Sequence, residues 1–394
     1  MKSNVAIVGV GRTLFGEHYE KDPEDLIEEA WLKASIDGIK ISTKDLEAIY
    51  SSNYLLMPTN KIALPEGLLS EITGSHIPME SSKSFSSAFQ MACNAIASGE
   101  QRVVLVGGVE KMTDRLDKIK DDMMMLGDSL SYNAGCTPET AHEFMLRYYL
   151  KKHNISGDSL GKFNHALALI PVKNHENATK NPNAQYPRKI TVDQVLNARK
   201  EAQKPLGLYD FPPVSDGAAA LILTSPELAE SYTNKPVYVK SRAAATDFLT
   251  FTSREERVGF ISTQKAIECA LVKSGVKIED IGLAEICDQS SIVEMISLED
   301  LGFSEKGKAW MDVYDSLSQG KSYQFKGRPL FVNTNGGLKA DGNPLGATGG
   351  AQIYEIVRQL RGNAENQVGG LTYALNLEFE GFGTKARTNI FGRD

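Results

Sequence analysis

The chain has 394 residues, enough for two or three domains of roughly 150 residues and for a large core without disulfide or metal staples. Hydrophobic residues make up 41% and charged residues 24%, an ordinary soluble balance that excludes a long disordered or collagen-like chain. A net charge of −7 argues against a nucleic-acid or anionic-membrane partner, and no run of about 18 apolar residues exists to span a bilayer.

Val5 to Gly11 reads as a buried strand running into a turn. A dinucleotide fingerprint would need a third glycine at position 14, which is Leu14, so a strand ending in a turn is the better reading. The segment has no full apolar core and cleavage site of a signal peptide, and no export signal is read. Ala30 to Ala34, Gly38 and then Asp45 to Ile49 form a helix, a glycine stop, a turn with Asp and a strand. Ala270 to Ser274, Gly275 and Asp280 to Ile286 repeat that order.

The echo continues. Pro78 to Ser81 leads through a Ser-rich turn to an apolar helix at Ala88–Ser98, ended by Gly99. Pro329 to Asn333 leads through a Gly-rich turn to a helix at Gly350–Leu360, ended by Gly362. Val103 to Val106 and Tyr373 to Leu375 then read as strands. Two related α/β halves are the simplest account. We place them at residues 1–235 and 236–394. The first half includes a charged, Asn-rich and irregular excursion at 114–205, with helical stretches at Ala141–Lys152 and Val192–Lys204. Ser215 to Leu223 is a small-residue turn and a buried strand, and Val237 begins the second half.

Few residues offer chemistry. Ser82 to Ser87 lie at a strand-to-helix turn, where N–H groups stabilise an anion; a cluster of N-caps is the simpler reading. Asn335 to Gly350 is dense in glycine, as close approach to a ligand or to another backbone requires, and it lacks the ending of a Walker loop. Cys287-Asp288 ends a strand, where α/β sheets line their crevices. The four cysteines are scattered and contain no CxxC, which suggests free thiols, a reducing compartment and no metal site. Of six histidines none follows His175, so no mechanism can draw one from the C-terminal half. His142 reads as a surface histidine on a helix, and Met123 to Met125 as gap-fillers or the wall of an apolar pocket.

Taken together the motifs resemble the thiolase superfamily, in its archaeal and sterol-carrier-type branch. Gly107 to Met112, Pro213 to Ala219, Asn335 to Leu338 and Pro344 to Gly349 stand in family order, and the likeness covers nearly the whole chain. The resemblance implies an α/β thiolase fold of two βαβαβ halves in layers. It implies acyltransferase chemistry on acetyl-CoA or another coenzyme A thioester, with no permanently bound cofactor. It also implies a cytoplasmic, archaeal-type homodimer or dimer of dimers, and a zinc-ribbon/OB-fold partner protein.

The family's catalytic positions differ here. The cysteine nucleophile falls at Ser82, the Gly-His-Pro histidine at Asn343 and the His-Asp histidine at Cys287. The late Gly-Gly-x-Gly turn reads Glu380-Gly381-Phe382-Gly383, and Gly337 and Gly381 carry over as coenzyme-binding positions. A serine needs a general base, and an asparagine cannot accept a proton at neutral pH. Ordinary thiolysis or condensation is therefore not expected. A relocated Cys287 nucleophile would suffer from the adjacent carboxylate. A catalytically silent subunit that binds acyl-CoA or a partner is the alternative. A nicotinamide enzyme is disfavoured by Leu14.

Overall fold

The computed structural model describes residues 4–39 and 41–393. Lys40, inside the first repeat copy, and the outermost positions of the two expected halves lie outside the described residues. Strand β1 (Ala6–Arg12) is buried along its whole length. Helix α1 (Pro23–Asp37) opens on a proline, with Asp25 accepting from the Asp22 N–H, and stops at Gly38. It packs on β1 so closely that a Cβ on Gly9 would stand 2.4 Å from Ala34 O, and one on Gly11 2.4 Å from Ala30 O. These two glycines seat a helix.

Strands β2 (Ala48–Ser52) and β3 (Met79–Ser82), helix α2 (Phe85–Ser98) and strand β4 (Val103–Glu110) follow. The excursion is more helical than expected. It holds α3 (Thr140–Lys152), α4 (Asp158–Ala178) and α5 (Val192–Ala202). Helix α4 runs for 21 residues through Pro171. Pro171 and Gly161 break its sequence signal, but ten of its residues are buried, and that packing outweighs the local penalty. Strand β5 (Gly217–Thr224) then returns to the sheet.

The second half contributes β6 (Val237–Thr246), α6 (Ile261–Ser274), β7 (Ile281–Ile286), α7 (Ser291–Asp300), β8 (Tyr323–Phe325) and β9 (Arg328–Val332). Helix α8 (Leu345–Arg361) and strands β10 (Tyr373–Glu380) and β11 (Lys385–Gly392) complete it. The sheet order is β3-β2-β4-β5-β1-β6-β11-β10-β7-β9-β8. Outward from the antiparallel β1–β6 junction, where Ala6 faces Tyr238, the two halves mirror each other. The sequence β1, β5, β4, β2, β3 is matched by β6, β11, β10, β7, β9.

Alternate residues of β4 enter two different cores. Val104 and Val106 pack towards α2 and α8, whereas Val103 and Leu105 pack towards α1. Helices α2 and α8 thus form a middle layer, and α8 touches β1, β4 and β5 as well as β7 and β10. Helix α1 covers the far face of the first half, and α6 packs on β6 and β11. Each strand-to-helix turn of the middle layer, before α2 and before α8, opens beside the other half. Among the described residues no helix is long and apolar enough to cross a membrane.

Candidate functional site

The turn after β3 carries Ser82. Its Oγ donates to Ser84 O at 3.1 Å and more weakly to Ser51 O at 3.4 Å. Both acceptors are backbone carbonyls, so no described side chain is placed to take its proton. Ser84 N-caps α2, its Oγ accepting from Ser87 N. The next N–H groups are also taken. Phe85 N donates to Glu378 Oε1 at 3.2 Å and Ser86 N to Glu378 Oε2 at 2.6 Å. The hydroxyls of Ser84 and Ser87 donate to Glu380 Oε1 at 2.7 and 3.0 Å.

Both glutamates come from β10, whose period of two puts Asn376, Glu378 and Glu380 on one face. Burial pushes the Glu378 carboxyl up to about 7, against the hydrogen bonds from Ser86 and Phe85. Burial also raises Glu380. The Ser84 and Ser87 hydroxyls with Lys385 and Arg387 outweigh it and hold that carboxyl below its usual range.

Cys287 lies just past β7 and is 3% exposed, packed in the larger apolar core. Burial drives its thiol far above the ordinary range. The Phe379 N–H opposes this, while Glu378 and Asp288 add to it. Asp288 accepts from Leu338 N at 2.7 Å and Asn174 Nδ2 at 2.9 Å. Gly337 sits against it: at φ +59°, a Cβ there would stand 2.6 Å from Asp288 Oδ2. Asp341, further along the same loop, pairs with buried Arg12 through two contacts of 2.7 and 2.9 Å. Asp288 and Arg12 thereby fix the glycine-rich loop from both sides.

A cavity of about 480 Å³ opens beside these turns. Asn343, Gly381 and Gln289 line it, with Met123, Met124 and Phe382. Of the expected positions, Asn343 and Gly381 therefore line one cavity; Ser82, Cys287 and Gly337 are not part of its lining. Asn343 N donates to Ser215 Oγ, and its Oδ1 accepts from Thr348 Oγ1 at 2.8 Å.

His142 also lines the cavity and is only 6% exposed, not the surface residue its helix suggested. Its Nδ1 meets Ser290 Oγ at 2.7 Å, and its ring packs 4.5 Å from Phe382 and 5.5 Å from Phe211. Burial pushes its pKa down to about 3. Sequence reasoning missed both His142 and Glu378. The alternation Leu375, Leu377, Phe379 against Asn376, Glu378, Glu380 was a readable signal for a strand with one polar face. Nothing local marks that face as buried.

The comparisons with known proteins agree with this fold. The thiolase N-terminal domain matches residues 5–227, and the thiolase C-terminal domain-like family matches residues 243–393. An acetyl-CoA acetyltransferase of Methanothermobacter thermautotrophicus is 35% identical, over 99% of this chain and 100% of that one. Sterol carrier protein 2 of Gallus gallus is 31% identical, over 95% of this chain and 69% of its own length. The solved Ltp2-ChsH2(DUF35) aldolase superposes with a TM-score of 0.82 at 24% identity, covering 99% and 98% of the two chains. Human mitochondrial 3-ketoacyl-CoA thiolase gives 0.72 at 19%, covering 99% of each; these two likenesses speak to the fold. The chain belongs to the thiolase superfamily, with archaeal acetyl-CoA acetyltransferases and sterol carrier protein 2 among its relatives.

Proposed function

We propose that the protein binds a coenzyme A thioester in the cavity beside Asn343 and Gly381 and does not act through an acyl-enzyme. One observation carries the reading. The N-terminus of α2, which would activate a nucleophile or hold an oxyanion, is filled by the protein's own Glu378 carboxylate. Two further features support it. Among the described residues the Ser82 hydroxyl meets only backbone carbonyls, and the buried Cys287 thiol resists ionisation.

An acyltransferase scaffold is thus kept while thiolysis and condensation are lost. The ligand is an acyl-CoA, bound without a permanent cofactor, and Gly337 serves the binding loop through its packing on Asp288. We place the protein in the cytoplasm, as a homodimer or a dimer of dimers, with a zinc-ribbon/OB-fold partner. The paired name of the Ltp2-ChsH2(DUF35) aldolase supports a second protein beside this one.

The test is calorimetric titration with acetyl-CoA, together with turnover of the Ser82→Cys variant. The wild type should bind. The variant should stay far below a typical turnover of about 10 per second, because Glu378 still fills the helix end and Asn343 supplies no base. Turnover of that size in the single variant would refute the reading.

A further inference from the structure

Two nitrogen atoms in the cavity wall have no partner among the described residues: Nε2 of His142 and Nδ2 of Asn343. Both residues are more than nine-tenths buried, at 6% and 7% exposure. Both residues line the cavity, so a partner for each nitrogen can come from what the cavity holds.

The hydrogen-bond pattern fixes what each atom offers. Ser290 is 1% exposed, and the one polar atom that its hydroxyl oxygen meets among the described residues is Nδ1 of His142. Its proton has no other acceptor there, so Ser290 donates and Nδ1 accepts. The ring proton then sits on Nε2. Phe382 and Phe211 hold the ring, no charged side chain among the described residues pairs with it, and burial keeps it uncharged at neutral pH. Asn343 is oriented in the same way: Oδ1 is occupied by the Thr348 hydroxyl, which leaves the N–H groups of Nδ2. The cavity therefore receives two N–H donors, one from each half of the sequence. Around them stand Met123, Met124, Leu126, Phe211 and Leu345. Two donors in an apolar wall suit an oxygen carrying partial negative charge on an otherwise apolar group.

We propose that His142, through Nε2–H, joins Asn343 Nδ2–H in holding the carbonyl oxygen of an acyl thioester in this cavity. The proposal rests on the thioester-binding reading above. His142 comes from α3 in the excursion and belongs to none of the motifs that carry the family resemblance. It brings an imidazole to a chain whose second half has none. As a neutral donor it polarises the carbonyl and removes no proton.

The experiment compares acetyl-CoA with S-ethyl-coenzyme A, which has the same skeleton without the carbonyl, by calorimetry on the wild type and on His142→Phe. The wild type should prefer acetyl-CoA, and the variant should lose about tenfold of that preference while its affinity for the thioether holds. Equal losses for both ligands, or no loss for either, would overturn the proposal while leaving thioester binding intact. A wild type that binds neither ligand would overturn the thioester reading itself. Imidazole nitrogen-15 spectra of the wild type give an independent answer if the variant does not fold. The Nε2–H tautomer should be present without ligand, and its Nε2 signal should move with acetyl-CoA but not with the thioether. An Nδ1–H tautomer, or a signal that ignores acetyl-CoA while calorimetry records binding, would refute the role.

Discussion

Glu378 shows how one side chain can occupy a helix end. Its two oxygens take the N–H groups of Phe85 and Ser86, at the cost of a buried carboxyl raised to about 7. The sign of its pH effect follows. In the unfolded chain a glutamate ionises near 4.3, so between about 4.3 and 7 the folded state retains a proton that the unfolded state has lost. The group's contribution is greatest below that window and is lost as pH rises through about 7. Glu378→Gln removes this titration. Between pH 4.5 and 8 the variant should gain about 3 kcal/mol relative to the wild type, measured by denaturant unfolding at several pH values. Parallel stability profiles would contradict the assignment. Ser82 needs no such device, because its hydroxyl already donates to a backbone carbonyl.

Elements explain why some of this was legible and some was not. The repeated helix, glycine stop, turn and strand could be read twice in the sequence, since amphipathic spacing and glycine stops are local signals. The strands around them follow from short apolar runs. Helix α4 was lost because Pro171 obscures a pattern that tertiary packing restores. The cavity was half legible. Asn343 and Gly381 sit in motifs, whereas His142 gains its place only when α3 folds back over Phe382 and Ser290. Met123 and Met124 proved to be cavity wall, one of the two roles their sequence allowed. Strand β1 has a part that no local pattern announces: Arg12 at its end holds Asp341 and so the loop before α8. Arg12→Ala leaves a buried carboxylate unpaired and should cost about 4 kcal/mol in chemical denaturation. A loss below about 1 kcal/mol would mean that the pair does not anchor the loop.

Across the whole molecule, the middle layer joins the two halves. One apolar core holds Val5, Ile7, Phe85 and Val104 of the first half with Leu283, Ile353, Ile356 and Phe391 of the second. Neither half can bury its share alone, so calorimetry should record one unfolding transition with matching calorimetric and van't Hoff enthalpies. Two resolved transitions would separate the halves. The same layer brings the turn before α2, which carries Ser82, together with the Glu378 and Glu380 side chains of β10. The claim that no acyl-enzyme forms is tested most directly by intact-mass spectrometry after incubation with acetyl-CoA, with peptide mapping of any adduct. The account predicts an unchanged mass in a sample that calorimetry shows to bind acetyl-CoA. An acetyl group on Ser82 or Cys287, released again by added coenzyme A, would contradict it and make the protein a working acyltransferase.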